Sequence, residues 1–557
     1  MSPAVPLFRP LSLSRTLTVS PAPHPVQAPS PALRSLPAFH MRTFGCQMNA
    51  AESARLARML TAGGFRESSF EDAGIYILNT CAVRDKPEQK VYSELGRIAE
   101  YCKAHGKRDV LVCVGGCVAR RAGDRIMKRF PQVRLLFGDG VSGIPDALTR
   151  LTEDPRLRIS LSEFSETYEE CLDPLCDPAQ RDVFAVPPSV FVGIMQGCDN
   201  FCAYCIVPFT RGRQKSRKAE NILRECRTLV EGGAREITLL GQNVNAYGLD
   251  GGGGGMSFAE LLRALSTMPG LRRLRFVTSH PKDLAPEVVE QFGDNPVLCP
   301  RLHLPVQSGS DTILKAMKRR YDTVAYLDLV DRLRKARPDI ALTTDVIVGF
   351  PGETNEDFED SMRLLERVGF AAAFSFVYSD RPGTRAAGLP DKVGRSTALE
   401  RLARLQEYQD QVSQKLLQAQ VGSDCIVLLE GRSRISELLP DAGGGAEDSG
   451  SAAFSAGSGE APCSSFPQRQ RSRPFDSGEE SGGAGNSGSD VLSGSGGGHG
   501  GASWVGRTPH GFIVNVAPEN GSDAPFTQGG LLGAMLPVHI ESAAHRSLKA
   551  RQAGRPC

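Results

Sequence analysis

The sequence predicts an α/β protein with an N-terminal open α/β domain, a partial (β/α)6 barrel and a small C-terminal β-barrel. Three observations predict it. From residue 40 to about 150, short apolar runs alternate with helical spacing, as in an open parallel sheet. Over 189–417, six strand-like runs are separated by helical stretches, as in a parallel barrel. Beyond 418 the runs are short, strand-like and punctuated by Gly, as in a small all-β barrel.

With 557 residues the chain is too long for one core. Residues 1–39 hold Arg9, Arg15 and Arg34, many Ser and Pro, and no Asp, Glu or Lys. Such an acid-free leader reads as a transit peptide for a mitochondrion or chloroplast. The mitochondrion is preferred, the Pro content leaves the organelle open, and a cytosolic pool is compatible with it. Residues 441–503 are about half Gly and Ser and cannot bury enough surface to offset their ordering entropy, so they read as a disordered insertion. This insertion carries eight acidic and three basic residues, so the net charge of +2 hides a more basic remainder. A histone-like polycation is excluded, local RNA-binding patches are not. No apolar run reaches about 18 residues, which excludes a membrane-spanning helix.

In the first domain, 40–150, Ile75–Leu78 and Val110–Val114 read as buried parallel strands, and Ala51–Ala62 and Lys90–Lys103 as helices. Each strand ends in a loop with a Cys: Cys46 in TFGCQMN, Cys81 in NTCAVR and Cys117 in GGCVA. Carboxyl ends of parallel strands are where such sheets place their sites, so three thiols can converge there. Residues 151–188 read as a linker. The barrel strands are FVGIM, EITLLGQNV, LRFVTS, LHLPVQ, TTDVIVGF and AAFSFVYS, with helices such as Ala219–Glu231 and Asn355–Val368 between them. The last unit, 418–548, contains DCIVLLEG, GFIVNV and AMLPVHIES and is split by the insertion.

The fifteen Cys are odd in number and unevenly spaced, which argues against a secreted disulfide framework and for metal or redox use by a subset. Cys198, Cys202 and Cys205 have C-x3-C-x2-C spacing. Three thiolates in one loop suit three irons of a cubane cluster with the fourth left open, whereas structural zinc needs four closed ligands. Cys113 lies four residues before Cys117, inside an apolar run where an inert Cys is expected. Cys102, Cys226, Cys299 and Cys425 also read as structural. Cys171 and Cys176 read as incidental thiols, with a redox pair as the alternative. Cys463 and Cys557 have no positioned partner.

The Cys198–Cys205 motif resembles the radical S-adenosylmethionine superfamily. TFGCQMN, NTCAVR, GGCVA, GCDNFCAYCIVPFTRGRQKSR, LLGQNVNAY, HLPVQSGSD and GFPGET resemble its methylthiotransferase family, and within it the MiaB-type branch, which includes organellar eukaryotic homologues. The resemblance spans about 40–538 apart from the insertion. It implies two 4Fe-4S clusters, with Cys198, Cys202 and Cys205 as the catalytic radical-generating set and Cys46, Cys81 and Cys117 as metal ligands of an auxiliary cluster. It implies that S-adenosylmethionine supplies both methyl and radical. It places Gly241, Gln242 and Asn243 near the cofactor's amino group, Gln307 and Ser308 near its ribose, and Gly349 to Gly352 near its adenine.

The implied reaction converts N6-isopentenyladenosine next to the tRNA anticodon to its 2-methylthio derivative. The implied partners are a tRNA anticodon stem-loop and an external electron donor of ferredoxin or flavodoxin type, with the sulfur donor unknown and no membrane. An aryl C–H bond has no useful acidity, in keeping with the lack of an obvious His/Asp/Ser constellation. Three basic groups are RNA candidates: Arg211, Arg213, Lys215, Arg217 and Lys218; Lys315, Lys318, Arg319 and Arg320; and Arg381 with Arg385. GRSR, WVGRT and GFIVNV resemble a TRAM domain, a small RNA-binding β-barrel. The alternatives are a methylthiotransferase acting on threonylcarbamoyladenosine in tRNA or on a ribosomal protein, and a regulatory binding protein of a kinase activator.

Overall fold

The computed structural model describes residues 36–433, 504–517 and 531–556, apart from 82–84, 108, 139, 164–166, 169, 171–172 and 181–182. The leader up to residue 35, the insertion, Cys171, Cys463 and Cys557 lie outside the described residues. Among them, no helix is long and apolar enough to cross a membrane.

The N-terminal domain is a five-stranded parallel sheet in the order β1 (Phe39–Thr43), β2 (Ile75–Thr80), β3 (Leu111–Gly116), β4 (Val133–Phe137) and β5 (Ile159–Leu161). Every residue of β2 and β3 is buried, which is why they read as continuous apolar runs rather than alternating ones. Helices α1 (Gln47–Ala62) and α4 (Ile144–Glu153) cover one face through Leu56, Leu60, Ile144 and Leu148. Helices α2 (Asp85–Ala104) and α3 (Cys117–Arg129) cover the other through Leu95, Ile98, Val118 and Ile126. Three elements correct the sequence reading. Strand β4 was not foreseen, and α4 and β5 reach into the expected linker 151–188. Ile159 pairs beside Leu135 and is buried.

The barrel strands are β6 (Ser189–Gly193), β9 (Glu236–Leu240), β10 (Arg273–Phe276), β11 (Arg301–His303), β12 (Ala341–Val348) and β13 (Ala372–Val377). They form two parallel three-stranded sheets, joined where Leu274 bridges Leu298 just ahead of β11. The six expected strands are present, but FVGIM is broken after Gly193. Its end forms β7 (Met195–Gln196), which pairs antiparallel with β8 (Lys215–Ser216) and closes the loop that carries Cys198, Cys202 and Cys205. A short helix, α5 (Val207–Thr210), follows Cys205. The outer layer is α6 (Ala219–Glu231), α7 (Phe258–Ser266), α8 (Pro286–Asp294), α9 (Asp311–Ala316), α10 (Thr323–Ala336), α11 (Asn355–Val368) and α12 (Arg395–Gln418). Reciprocal capping boxes, Ser257 with Glu260 and Thr354 with Asp357, start α7 and α11. Leu239, Leu274, Val288 and Phe292 belong to the core between strands and helices.

The C-terminal unit is a closed barrel of β14 (Asp424–Arg432), β15 (Trp504–Arg507), β16 (Ile513–Ala517), β17 (Met535–Ala543) and β18 (Leu548–Gln552), in the order β14-β15-β16-β18-β17. Strand β18 carries the barrel past residue 548, the expected end. Its two Lys and Arg residues hid a strand whose Leu548 and Ala550 alone face the core. Arg273 donates to the carbonyls of Arg507 (2.7 Å) and Ile426 (2.8 Å), and Arg275 to those of Pro509 (2.7 Å) and Thr508 (3.0 Å). Strand β10 thus holds the C-terminal barrel through charge-assisted bonds to its backbone.

Candidate active site at the domain interface

Cys46, Cys81 and Cys117 follow β1, β2 and β3 at their carboxyl ends. Cys81 and Cys117 are buried and Cys46 lies at the exposed rim. Hydrogen bonding with the Cys117 and Cys46 thiols, together with burial, holds the Cys81 pKa well above the usual thiol range. Cys46 is pushed down to about 6, first by the Cys81 bond, with the Arg211 guanidinium adding to it. The loops are locked by a buried amide network. Asn49 donates to Asn79 Oδ1 (3.0 Å) and the Thr80 carbonyl (3.1 Å). Asn79 returns a bond to the Asn49 carbonyl (3.1 Å), and Cys46 Sγ donates to Asn49 Oδ1 (3.2 Å). Gly116 has φ 80, and a Cβ there would lie 2.2 Å from the Thr80 carbonyl oxygen. Cys113 is sealed inside β3, and burial pushes its thiol far up.

The second triad sits in the loop closed by β7 and β8. The Cys198 N–H donates to the Gly212 carbonyl (3.2 Å), and Cys205 N–H to that of Cys202 (3.0 Å). Ala203 is held from both sides, by Met317 (2.9 Å) and Ala386 (2.8 Å). Gly197, at φ 76, approaches the Arg213 carbonyl so closely that a Cβ would lie 2.0 Å from it. Burial raises the Cys198 thiol to about 11 and Cys205 to about 12. Ligand binding here must therefore release protons.

The cofactor residues divide. Gln242 Oε1 accepts from Gly197 N–H (2.5 Å), which ties the end of β9 to the cysteine loop. Asn243 donates to Asp283 (2.7 Å), which Asn200 also approaches (3.4 Å). Gly241 packs on Met195. Gln307 is buried at φ 77 beside Asp345. Ser308 is corrected: it is wholly buried, with its hydroxyl against Ser361 (3.3 Å) and the Ser310 N–H (3.2 Å), and has no free face. Among the described residues, four buried polar atoms beyond β9 and β10 have no partner: Asn243 Oδ1, Asn245 Oδ1, Ser279 Oγ and His280 Nε2. Burial pushes His280 down to about 2 and keeps it neutral. Orphaned polar atoms beside a thiol triad fit a polar cofactor that supplies their bonds. Both triads are all-thiol sets, which suits cubane clusters. Among the described residues, no group of three or more His, Cys, Asp or Glu closes on a single metal ion.

The basic groups need correction as well. Arg211, Lys215, Arg217, Arg319 and Arg381 are buried, so they cannot serve as an open phosphate-binding surface. Arg217 is held by Glu225 (2.8 Å) and Glu170 (3.0 Å). Arg211 pairs with Glu52 on α1, Arg120 on α3 donates to the Thr210 carbonyl (2.8 Å), and the charge of Arg381 lies near Cys81. The two triads therefore share one domain interface. Arg213, Lys218, Lys315, Lys318, Arg320 and Arg385 remain exposed. Sequence reasoning missed Asn49, Asn79, Asp283 and His280. The signal for Asn79 was an amide inside a run that otherwise reads as wholly buried.

The chain is similar to known proteins. A family model described as the Radical SAM superfamily matches residues 192–365, and one described as Uncharacterized protein family UPF0004 matches 38–138. A tRNA-2-methylthio-N(6)-dimethylallyladenosine synthase of Nitratidesulfovibrio vulgaris is 52% identical over 524 residues, covering 93% of this chain and 99% of its own. Its namesake from Oleidesulfovibrio alaskensis is 49% identical, again over 93% and 99%. Among solved structures, the radical S-adenosylmethionine methyltransferase TsrM from Kitasatospora setae is similar at 13% identity and TM-score 0.46, covering 63% of this chain and 75% of that one. These relatives are bacterial, so the organellar address expected from the leader gains no support from them. Matched at about half identity along nearly the full length of such relatives, the chain belongs to the tRNA-2-methylthio-N(6)-dimethylallyladenosine synthase family of radical SAM proteins.

Proposed function

We propose that this chain converts N6-isopentenyladenosine beside the tRNA anticodon to 2-methylthio-N6-isopentenyladenosine, with S-adenosylmethionine as the source of both methyl and radical. The observation that carries this reading is the placement of two three-thiol sites on one domain interface, in a chain matched over 93% of its length by synthases of that name. Cys198, Cys202 and Cys205 would hold one 4Fe-4S cluster and leave an iron open for S-adenosylmethionine. Cys46, Cys81 and Cys117 would hold the other. When bound, these groups supply one-electron cleavage of an unactivated C–H bond and the sulfur that replaces the hydrogen.

The chain's own residues bind, orient and exclude water. Asn49 and Asn79 fix the loops of the first triad, and Gly197 with Gln242 fixes those of the second. Asn243, Asn245, Ser279 and His280 offer unpaired polar atoms to the cofactor. The C-terminal barrel, read as a TRAM domain, and the exposed Lys315, Lys318 and Arg320 would take the RNA backbone while a splayed base enters between the domains. A ferredoxin- or flavodoxin-type donor would supply the electron. A purely regulatory binding role would leave both triads without purpose. The test is nucleoside mass spectrometry of tRNA from a strain lacking this protein. The methylthio derivative should vanish while N6-isopentenyladenosine accumulates; an unchanged profile would defeat the assignment.

A further inference from the structure

Arg319 is a buried cation that forms no ion pair with a carboxylate among the described residues. It is 4% exposed. Its Nη2 donates to the Pro305 carbonyl (2.7 Å), its Nε to the Tyr321 hydroxyl (3.0 Å), and its Nη1 points at Cys202 Sγ, 3.6 Å away. The Tyr321 ring lies 5.3 Å from the guanidinium carbon. Among the described residues, the groups that favour its charge are Tyr321, Tyr204 and Cys202. An isolated buried charge is costly unless something compensates it. Lys318 and Arg320, on either side, both adopt left-handed backbone, at φ 58 and 61. Such a conformation is disfavoured for residues with side chains. Here it turns two exposed residues outward and the one between them inward.

We propose that Arg319 is a positioning residue for the cluster held by Cys198, Cys202 and Cys205: its guanidinium hydrogen-bonds the Cys202 thiolate and sets a fixed positive charge that favours the one-electron-reduced cluster. The proposal rests on the reading of this triad as a cubane site. A cubane on three thiolates is anionic, and the electron that reduces it adds a further negative charge. A fixed cation in a dry site stabilises the more negative form. The electron comes from the low-potential external donor, and no bond is made or broken at Arg319. The same charge compensates the cost of burying the guanidinium, which neither Pro305 nor Tyr321 can do.

The test uses the full chain with Cys46, Cys81 and Cys117 replaced by Ala, so that one cluster reports. This parent, Arg319→Gln and Arg319→Lys are reconstituted anaerobically, and reduction is followed by paramagnetic resonance at fixed potentials. The parent and Arg319→Gln should each load about four irons. The reduced-to-oxidised ratio in Arg319→Gln should fall at least tenfold, a shift of about 59 mV for a one-electron couple. Arg319→Lys, which keeps the charge, should stay closer to the parent. An unchanged midpoint in loaded Arg319→Gln overturns the proposal. If that variant does not load, Tyr321→Phe, which removes the acceptor of Nε, should lower the ratio, and no change overturns the proposal. A parent that loads no iron would instead defeat the cubane assignment itself.

Discussion

Arg211 Nη1 meets Glu52 Oε1 at 2.6 Å across the boundary between the barrel and the N-terminal sheet. Arg211 ends the short helix that follows Cys205, and Glu52 lies in the helix that follows Cys46. One ion pair thus links the elements that carry the two thiol triads.

Removing one partner of this pair leaves a buried charge uncompensated. Glu52→Ala should lower stability by about 3 kcal/mol. The double variant with Arg211→Ala should recover part of that loss. Denaturant unfolding of the four species of the cycle measures both, and additive losses would show that the pair carries no coupling.

Two glycines should separate the sites. Gly197→Ala forces a Cβ to within 2.0 Å of the Arg213 carbonyl, and Gly116→Ala to within 2.2 Å of the Thr80 carbonyl. Each also lies in left-handed backbone. Each variant should load about four irons where the wild type loads about eight, with Gly197→Ala losing S-adenosylmethionine cleavage and Gly116→Ala keeping it. Full loading by both would show that these loops tolerate the displacement.

Arg275→Met removes two charge-assisted bonds to the backbone at Thr508 and Pro509, and also the ion pair with buried Glu236 (3.0 Å). At about 1.5 kcal/mol each, this should loosen the C-terminal barrel. Hydrogen exchange over 504–517 should accelerate while exchange in the N-terminal sheet, β1 to β5, holds. Unaltered exchange there would mean that the remaining bonds from Arg273 and Arg301 hold this docking without Arg275.

Exposed and buried cations should behave differently towards RNA. Lys318→Gln and Arg320→Gln should each lower the salt slope of anticodon stem-loop binding by about 0.7. Buried Arg217, engaged by Glu225 and Glu170, contributes no phosphate contact, so the slope should survive its loss in any variant that folds. Slopes unchanged by the two exposed substitutions would move the RNA path elsewhere.

The grouping of six cysteines into two sets of three was legible because it depends on local facts: a three-Cys loop spacing and three strand ends. The helices Ala219–Glu231 and Asn355–Val368 were legible through their apolar spacing. The basic run after Cys205 misled because burial depends on partners far along the chain. Arg217 looks like a surface charge until Glu225 and Glu170 are placed around it. Strand β5 was hidden because an edge strand of three residues leaves hardly any period to read. Ser308 failed for a related reason: the end of a strand offers two faces, and only packing against Ser361 decides which one the hydroxyl takes.

The most direct measurement is anaerobic turnover of an anticodon stem-loop bearing N6-isopentenyladenosine, with S-adenosylmethionine and reductant, read by mass spectrometry. The reconstituted wild type should form both 5′-deoxyadenosine and the 2-methylthio nucleoside. The chain with Cys46, Cys81 and Cys117 replaced by Ala should still form 5′-deoxyadenosine but no methylthio product. Methylthio product from that triple variant would contradict the two-site account.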